Sequence, residues 1–311
     1  MTKRKQKNQG RAILLTLLGF VVLAIILMVL LRNADIPLLQ PKGEIAEQQL
    51  KLSATIVGIL LLIAIPSLSV LYFTVWKYRE KKTISTQNLD TEHGKLFVPV
   101  LWAVPLIIAV IIGTILWPAT HRLEPKKTIA SDNEPLLIKV VAMRWKWVFI
   151  YPEQKIATVN FMQIPIDTPI QLDLTADEAP MNSFWIPNLG GQLYAMTGHL
   201  NRLNLIASTP GDYPGRSPEI NGKGFAGMTF VARVGSEAEF NSWLQEVRSS
   251  KLILNSSEYE KLLSPSENHA KTIFSDVDLN IYDNILMKYS DSHNHNPDQN
   301  NEDYNEHGTG H

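Results

Sequence analysis

Three uninterrupted apolar runs dominate the first 120 residues: Ala12–Leu31, Leu52–Trp76 and Leu96–Thr120, 20, 25 and 25 residues long, with no charged side chain in any of them. At a rise of about 1.5 Å per residue, each reaches across a hydrocarbon core of roughly 30 Å. The pattern therefore predicts a helix hairpin, residues 41–120, preceded by an N-terminal anchor helix within residues 1–40. Pro66 and Pro105 fall inside the second and third runs, which membrane helices tolerate when neighbours satisfy the freed carbonyls. Beyond a polar linker, residues 121–134, the period becomes two. In MRWKWVF, Arg144 and Lys146 alternate with Trp145 and Trp147, and Ile170, Leu172 and Leu174 alternate with Gln171 and Asp173. Leu203 and Leu205 alternate with Arg202 and Asn204, and Met228, Phe230, Ala232 and Val234 share one side of a last strand. Short strands between Gly/Pro turns predict an antiparallel sandwich or barrel over residues 135–235.

A helical period returns at Ser236. The order Ser236-Glu-Ala-Glu239 has the form of a capping box, with Phe240, Trp243, Leu244 and Val247 at helical spacing behind it. Ser257-x-x-Glu260 predicts a second short helix ending near Leu263, and a third runs from about Asn280 to Tyr289. Together these form a C-terminal extension over residues 236–289. Residues 290–311, rich in Asn, Asp, His and Gly, are too polar to bury and read as a disordered tail.

Charge orients the apolar runs. Basic residues from Lys3 to Arg11 precede the first, and Lys77, Arg79, Lys81, Lys82 and Lys95 fill the link between the second and third. The positive-inside rule puts both segments in the cytoplasm and everything after Pro118 outside, in a periplasm-like space. A signal peptide is the rival reading of the first run, but its length and the lack of a small-x-small cleavage site favour a retained helix.

The net charge of −1 gives no electrostatic reason to expect nucleic acid or an acidic partner. The chain has no cysteine, which excludes disulfides, iron–sulfur ligation, thiol nucleophiles and thiolate copper sites. The tail histidines His293, His295, His307 and His311 read as solvated, His121 as interfacial, and no Ser/His/Asp set assembles. Gly190, Gly191, Gly222, Gly224 and Gly227 lie among strand residues and read as turn glycines needing positive φ rather than a phosphate loop. Trp145 and Trp147 read as packing residues, with electron transfer as the alternative.

The motifs WKWVFIYPEQKIATVN, MNSFWIPNLGGQLYAMTG and GKGFAGM, with the link WPATHRLEPKK, closely resemble subunit II of the heme–copper ubiquinol oxidases of cytochrome bo type, a branch of the cytochrome c oxidase subunit II superfamily. The similarity runs from about Pro41 to Leu286. It implies a cupredoxin-like β-sandwich with short C-terminal helices, anchored by the helix hairpin and the N-terminal helix in a bacterial inner membrane and facing the periplasm beside subunit I. In related cytochrome c oxidases this domain holds a dinuclear copper centre of two histidines, two cysteines, a methionine and a backbone carbonyl. The resemblance sets Asn182 and Phe225 at the histidine positions, Ser217 and Asn221 at the cysteines, Met228 at the methionine, and Glu219 between the lost cysteines. Hydroxyl and amide groups are hard, weak copper ligands, so no copper is expected here.

The implied role is a non-catalytic subunit of a proton-pumping ubiquinol:oxygen oxidoreductase. It would bind no cofactor of its own, with heme and copper in subunit I, ubiquinol as substrate of the complex, and no cytochrome c partner. A stand-alone, membrane-tethered cupredoxin-like binding or assembly protein is the alternative. Two departures from the family stand out. Val98 replaces a glutamate linked to proton entry, leaving Glu92 as a weak substitute, and the lipidated N-terminal cysteine of many relatives is missing. Glu219 matches an acid that reaches magnesium in copper-bearing relatives, but reads here as a surface or turn carboxylate.

Overall fold

The computed structural model describes residues 2–32, 34, 36–77, 97–131, 133–179 and 181–290. Its first unit contains the helices α1 (Thr2–Arg32), α3 (Phe97–Arg122) and, from Glu47 on, α2 (Glu44–Lys77). Three spans in them, Leu14–Leu31, Glu44–Trp76 and Trp102–Arg122, are long and apolar enough to cross a membrane. Phe20 of α1 meets Tyr72 of α2 edge to face, with ring centroids 6.4 Å apart. Thr16, Leu17, Phe20, Val21 and Ala24 form the half-buried stripe of α1, at helical spacing, while Leu14, Leu15, Leu18 and Leu23 stay exposed. Glu92 and the tail from residue 291 lie outside the described residues.

The second unit is a β-domain of β1 (Leu136–Met143), β2 (Lys146–Tyr151), β3 (Ile156–Val159), β4 (Phe161–Pro165), β5 (Ile170–Ala176), β6 (Asn182–Phe184), β7 (Leu193–Ala195), β8 (Asn201–Leu205), β9 (Gly211–Arg216) and β10 (Thr229–Gly235). It is followed by α4 (Glu237–Arg248), β11 (Ile253–Leu254), α5 (Ser256–Leu263), β12 (Thr272–Phe274), β13 (Asp276–Val277) and α6 (Asn280–Ser290). One sheet has the order β12-β3-β2-β1-β5-β8 and packs against a second, β4-β10-β9. The expected antiparallel sandwich is corrected to a mixed one: β1 pairs with β5, and β4 with β10, in parallel. Parallel pairing needs crossovers between strands distant in sequence, which alternation alone does not reveal.

The core between the sheets is aromatic. Phe184 and Phe230 stack with centroids 4.9 Å apart, and Trp147 meets both edge-on at 5.4 and 5.9 Å. Gly215 is required here, because a Cβ on it would fall on the Phe230 ring. The opposite face of the large sheet is also buried. Val141, Val148, Ile150 and Ala157 pack in one cluster with Tyr259 and Leu262 of α5, Phe274 of β12 and Ile281 and Ile285 of α6. The C-terminal extension is thus a third layer, which explains why β1 and β2 are almost continuously apolar rather than alternating.

Four sequence expectations change locally. The MRWKWVF segment is no single half-buried strand: Met143 ends β1, Arg144 and Trp145 turn, and β2 starts at Lys146. Lys146 does not face solvent either. It is 1% exposed, and its Nζ donates to the carbonyls of Leu262 (2.7 Å) and Ser264 (2.8 Å), so the C-terminal layer covers it. The capping box of α4 forms as expected at Ser236 and Glu239, but α5 starts earlier than Ser257: Asn255 caps it, accepting from the Glu258 backbone at 2.9 Å. Of the five glycines read as positive-φ turns only Gly222 is one (φ +120°). Gly224 and Gly190 are instead needed for room, the first under the Trp145 ring and the second against Leu205.

The six residues Pro41–Ala46, assigned on sequence grounds to the hairpin, belong to the β-domain. The Lys42 backbone N–H donates to the Asn188 carbonyl (2.7 Å), and its carbonyl accepts from the Ser208 N–H (2.8 Å). Gly43 lies against the Ile206 carbonyl, where a Cβ has no room.

Candidate functional site

The candidate positions converge on one rim of the β-domain. Asn182 opens β6 and is fully buried, Ser217 follows β9 at 2% exposure, and Met228 precedes β10 at 0%. The loop from Ser217 to Met228 folds back through a short 3-10 turn over Phe225–Gly227. The Asn221 amide Nδ2 donates to Asn182 Oδ1 and lies 3.2 Å from the Met228 sulfur. Ser217 Oγ accepts from the Ser183 N–H at 3.4 Å, and the Ser217 N–H donates to the Met228 carbonyl at 3.3 Å. Four of the six positions, Asn182, Ser217, Asn221 and Met228, therefore form one connected cluster. Phe225 and Glu219 are half-buried beside it, joined through their backbone carbonyls: that of Phe225 accepts from the Met228 N–H at 3.1 Å, and that of Glu219 accepts from Ser217 Oγ at 3.5 Å.

Trp145 holds this loop from outside. It has φ +67°, a conformation that bulky residues rarely adopt. Its ring packs over Gly222 and Gly224. Trp145, Arg144, Glu178, Asn221 and Tyr289 line an open cleft of about 910 Å³. A further loop of the C-terminal layer, residues 264–271, braces the rim. Asn268 lies against Gly227, Glu267 pairs with Lys223 at 3.2 Å, and the Asn160 amide donates to the His269 carbonyl at 2.8 Å.

Burial, then the charge of Lys146, lowers the pKa of His269, whose Nδ1 lies 3.1 Å from Ser266 Oγ. An imidazole with a folded pKa below its ordinary value of about 6.5 contributes stability that is present above that value and lost as pH falls through the folded pKa. Amide exchange in residues 264–271 should therefore accelerate between pH 7.5 and pH 5 beyond its intrinsic pH dependence, and His269→Gln should flatten that excess. An excess unchanged in the variant would assign the effect to another group.

Sequence reasoning did not find a second cluster, at the end of β5. Asp177, 2% exposed, accepts from Tyr289 (2.7 Å), Tyr259 (2.8 Å) and Lys288 Nζ (3.0 Å), and Lys288 also pairs with Glu178 at 3.0 Å. Burial first, and then the Asp177 carboxylate, push both phenol pKa values up. Burial opposes the charge on Lys288, but its hydrogen bonds to Asp177 and Glu178 outweigh that and raise its pKa. The one hint in sequence is an Asp-Glu pair directly after an apolar strand.

The chain is 39% identical over 270 residues to cytochrome bo(3) ubiquinol oxidase subunit 2 of Pseudomonas putida, covering 87% of this chain and 86% of that one. It belongs to the ubiquinol oxidase subunit II family. A second member, ubiquinol oxidase subunit 2 of Acetobacter aceti, is 39% identical over 263 residues, 84% of this chain and 85% of that one. The family model of the cytochrome c oxidase subunit II periplasmic domain matches residues 154–234, and that of the COX aromatic rich motif matches 248–293. Among solved structures, the periplasmic domain of cytochrome oxidase subunit II (CoxB) of Bradyrhizobium japonicum is similar at 25% identity and a TM-score of 0.36, covering 39% of this chain and 96% of that one. The aromatic-rich match coincides with the layer that carries Tyr259, Tyr282 and Tyr289.

The rim of this subunit II does not fit a dinuclear copper centre. Such a centre depends on two bridging thiolates, and the chain has no cysteine. The Asn221 amide N–H already donates to Asn182 Oδ1 and faces the thioether of Met228, Phe225 offers no donor, and the Asn221 carbonyl oxygen, buried with no hydrogen-bond partner among the described residues, is a hard, weak copper ligand. Among the described residues, no three His, Cys, Asp or Glu side chains come together as a metal site.

Proposed function

We propose that this chain is the non-catalytic second subunit of a proton-pumping ubiquinol:oxygen oxidoreductase. In this reading α1–α3 anchor it in the bacterial inner membrane, and the β-domain lies on the periplasmic face of subunit I. Heme and copper belong to subunit I, and the electron donor is ubiquinol rather than cytochrome c. The observation that carries the reading is the donor set of the rim: positions that hold copper in cytochrome c oxidases bear two amides bonded to each other, a hydroxyl that accepts from the Ser183 N–H, and a phenyl ring. A domain without that centre has no entry port for a soluble one-electron carrier. The Asn182, Ser217, Asn221 and Met228 cluster then keeps the rim folded. The half-buried stripe of α1 and the edge contact of Phe20 with Tyr72 support α1 as a retained helix rather than a cleaved leader.

Affinity purification from detergent-solubilised membranes tests the reading. A heme-bearing partner should co-purify with quinol-dependent oxygen uptake, and reduced cytochrome c should not replace the quinol. A heme-free single chain would overturn it.

A further inference from the structure

The two helices of the hairpin run antiparallel, so the beginning of α2 and the end of α3 lie at the same end of the membrane unit. A cleft of about 260 Å³ opens between them there. Its polar mouth holds Gln48 and Lys51 from α2 and Arg122 from α3, and its walls include Leu52, Ile115 and Ala119. Lys51 and Arg122 lie just outside the apolar runs that end at Leu52 and Thr120. Going inward along either helix, the lining changes from cationic to aliphatic within about two turns, or roughly 10 Å. That is the gradient from phosphate to acyl chain in one bilayer leaflet.

The charges are available. The Arg122 guanidinium has no hydrogen-bond or ion-pair partner among the described residues, and no carboxylate lines the cleft. Glu47 engages Lys51 at 2.7 Å from the neighbouring turn, with both side chains more than half exposed. Such a pair contributes little and exchanges readily for a stronger anion. Trp117, 73% exposed, lies tilted against His121 with ring centroids 4.9 Å apart, an aromatic position typical of the membrane–water boundary.

We propose that this cleft binds an anionic phospholipid, its phosphate held between Arg122 and Lys51 and its first methylenes against Leu52, Ile115 and Ala119. The inference rests on α2 and α3 crossing the bilayer, and is independent of how electrons enter the complex. A point charge and a planar guanidinium on one phosphate favour a net negative headgroup, because a zwitterionic lipid brings its own cation to the same place.

The test uses the purified oxidase complex, washed with detergent until loosely held lipid is gone and then analysed by mass spectrometry of extracted lipid per heme. The wild type should retain phosphatidylglycerol or cardiolipin, and the Lys51→Gln/Arg122→Gln double variant should lose one such molecule per complex at equal heme content. Ala119→Phe keeps both cations but fills the apolar wall, and should lose the same molecule. That loss separates a lipid from free phosphate, which Ala119→Phe would leave bound. Unchanged anionic lipid in both variants would overturn the proposal. So would loss confined to phosphatidylethanolamine or to inorganic phosphate.

Discussion

Trp147→Ala is expected to destabilise the β-domain by about 3–5 kcal/mol, the usual cost of removing a large buried ring and leaving a cavity. Trp147 is completely buried and makes edge contacts with both Phe184 and Phe230, the stacked pair that joins the two sheets. The indole Nε1 is buried with no hydrogen-bond partner among the described residues. Phenylalanine at this position forfeits no polar contact, so Trp147→Phe should lose markedly less stability than Trp147→Ala. Thermal unfolding of the full chain in detergent, followed by near-UV circular dichroism, measures both. Equal losses in the two variants would mean that the indole N–H, not the ring volume, carries the stability.

The second large effect is expected at Asp177. Removing the carboxylate in Asp177→Ala leaves the Tyr259 and Tyr289 hydroxyls and the Lys288 ammonium without their shared acceptor, next to a sheet face that α5 and α6 cover. Deleting one partner of a buried charge pair costs about 3–5 kcal/mol, although Lys288 keeps Glu178 and partial access to water, which lowers its share. The loss should be local. Proteolysis should cut first within residues 249–290 while the two-sheet core stays protected, and Asp177→Asn, which keeps one acceptor oxygen, should fall between wild type and alanine. Global unfolding without early cleavage in the extension would refute the assignment of Asp177 as the clasp of the third layer.

Much of this architecture can be read from local pattern, and the exceptions share a physical cause. β5, β8 and β10 alternate because one side of each is polar or faces another chemistry, so their registers are plain in the sequence. β1 and β2 do not alternate, since β-core residues cover one face and the C-terminal layer the other. The same two-sided burial hid Lys146, which looks like a solvent-facing position between two tryptophans until the carbonyls of Leu262 and Ser264 are seen above it. The rim was legible only through resemblance: Asn182 and Ser217 carry no intrinsic signature of a site, and only the fold brings them together. The clasp at Asp177 depends on partners in helices more than 80 residues away, a distance at which periodicity carries no information.

The clip at Lys42 has a consequence for how the domain is made. Its two backbone hydrogen bonds, to Asn188 and Ser208, join a segment synthesised before the hairpin to loops synthesised long after it. Contacts of such sequence separation form late and slowly, because the loop-closure entropy must be met before they add stability. Closure of this edge is therefore expected only after the segments on both sides of α2 and α3 have been made, and until then the edge at Asn188, Ile206 and Ser208 lacks the Lys42–Gly43 segment. A soluble fragment that begins at Pro125 inherits this open edge permanently. Joining residues 41–46 to it through a flexible linker should restore the missing edge, so that two backbone hydrogen bonds tie completion of the β-domain to a segment on the far side of the hairpin.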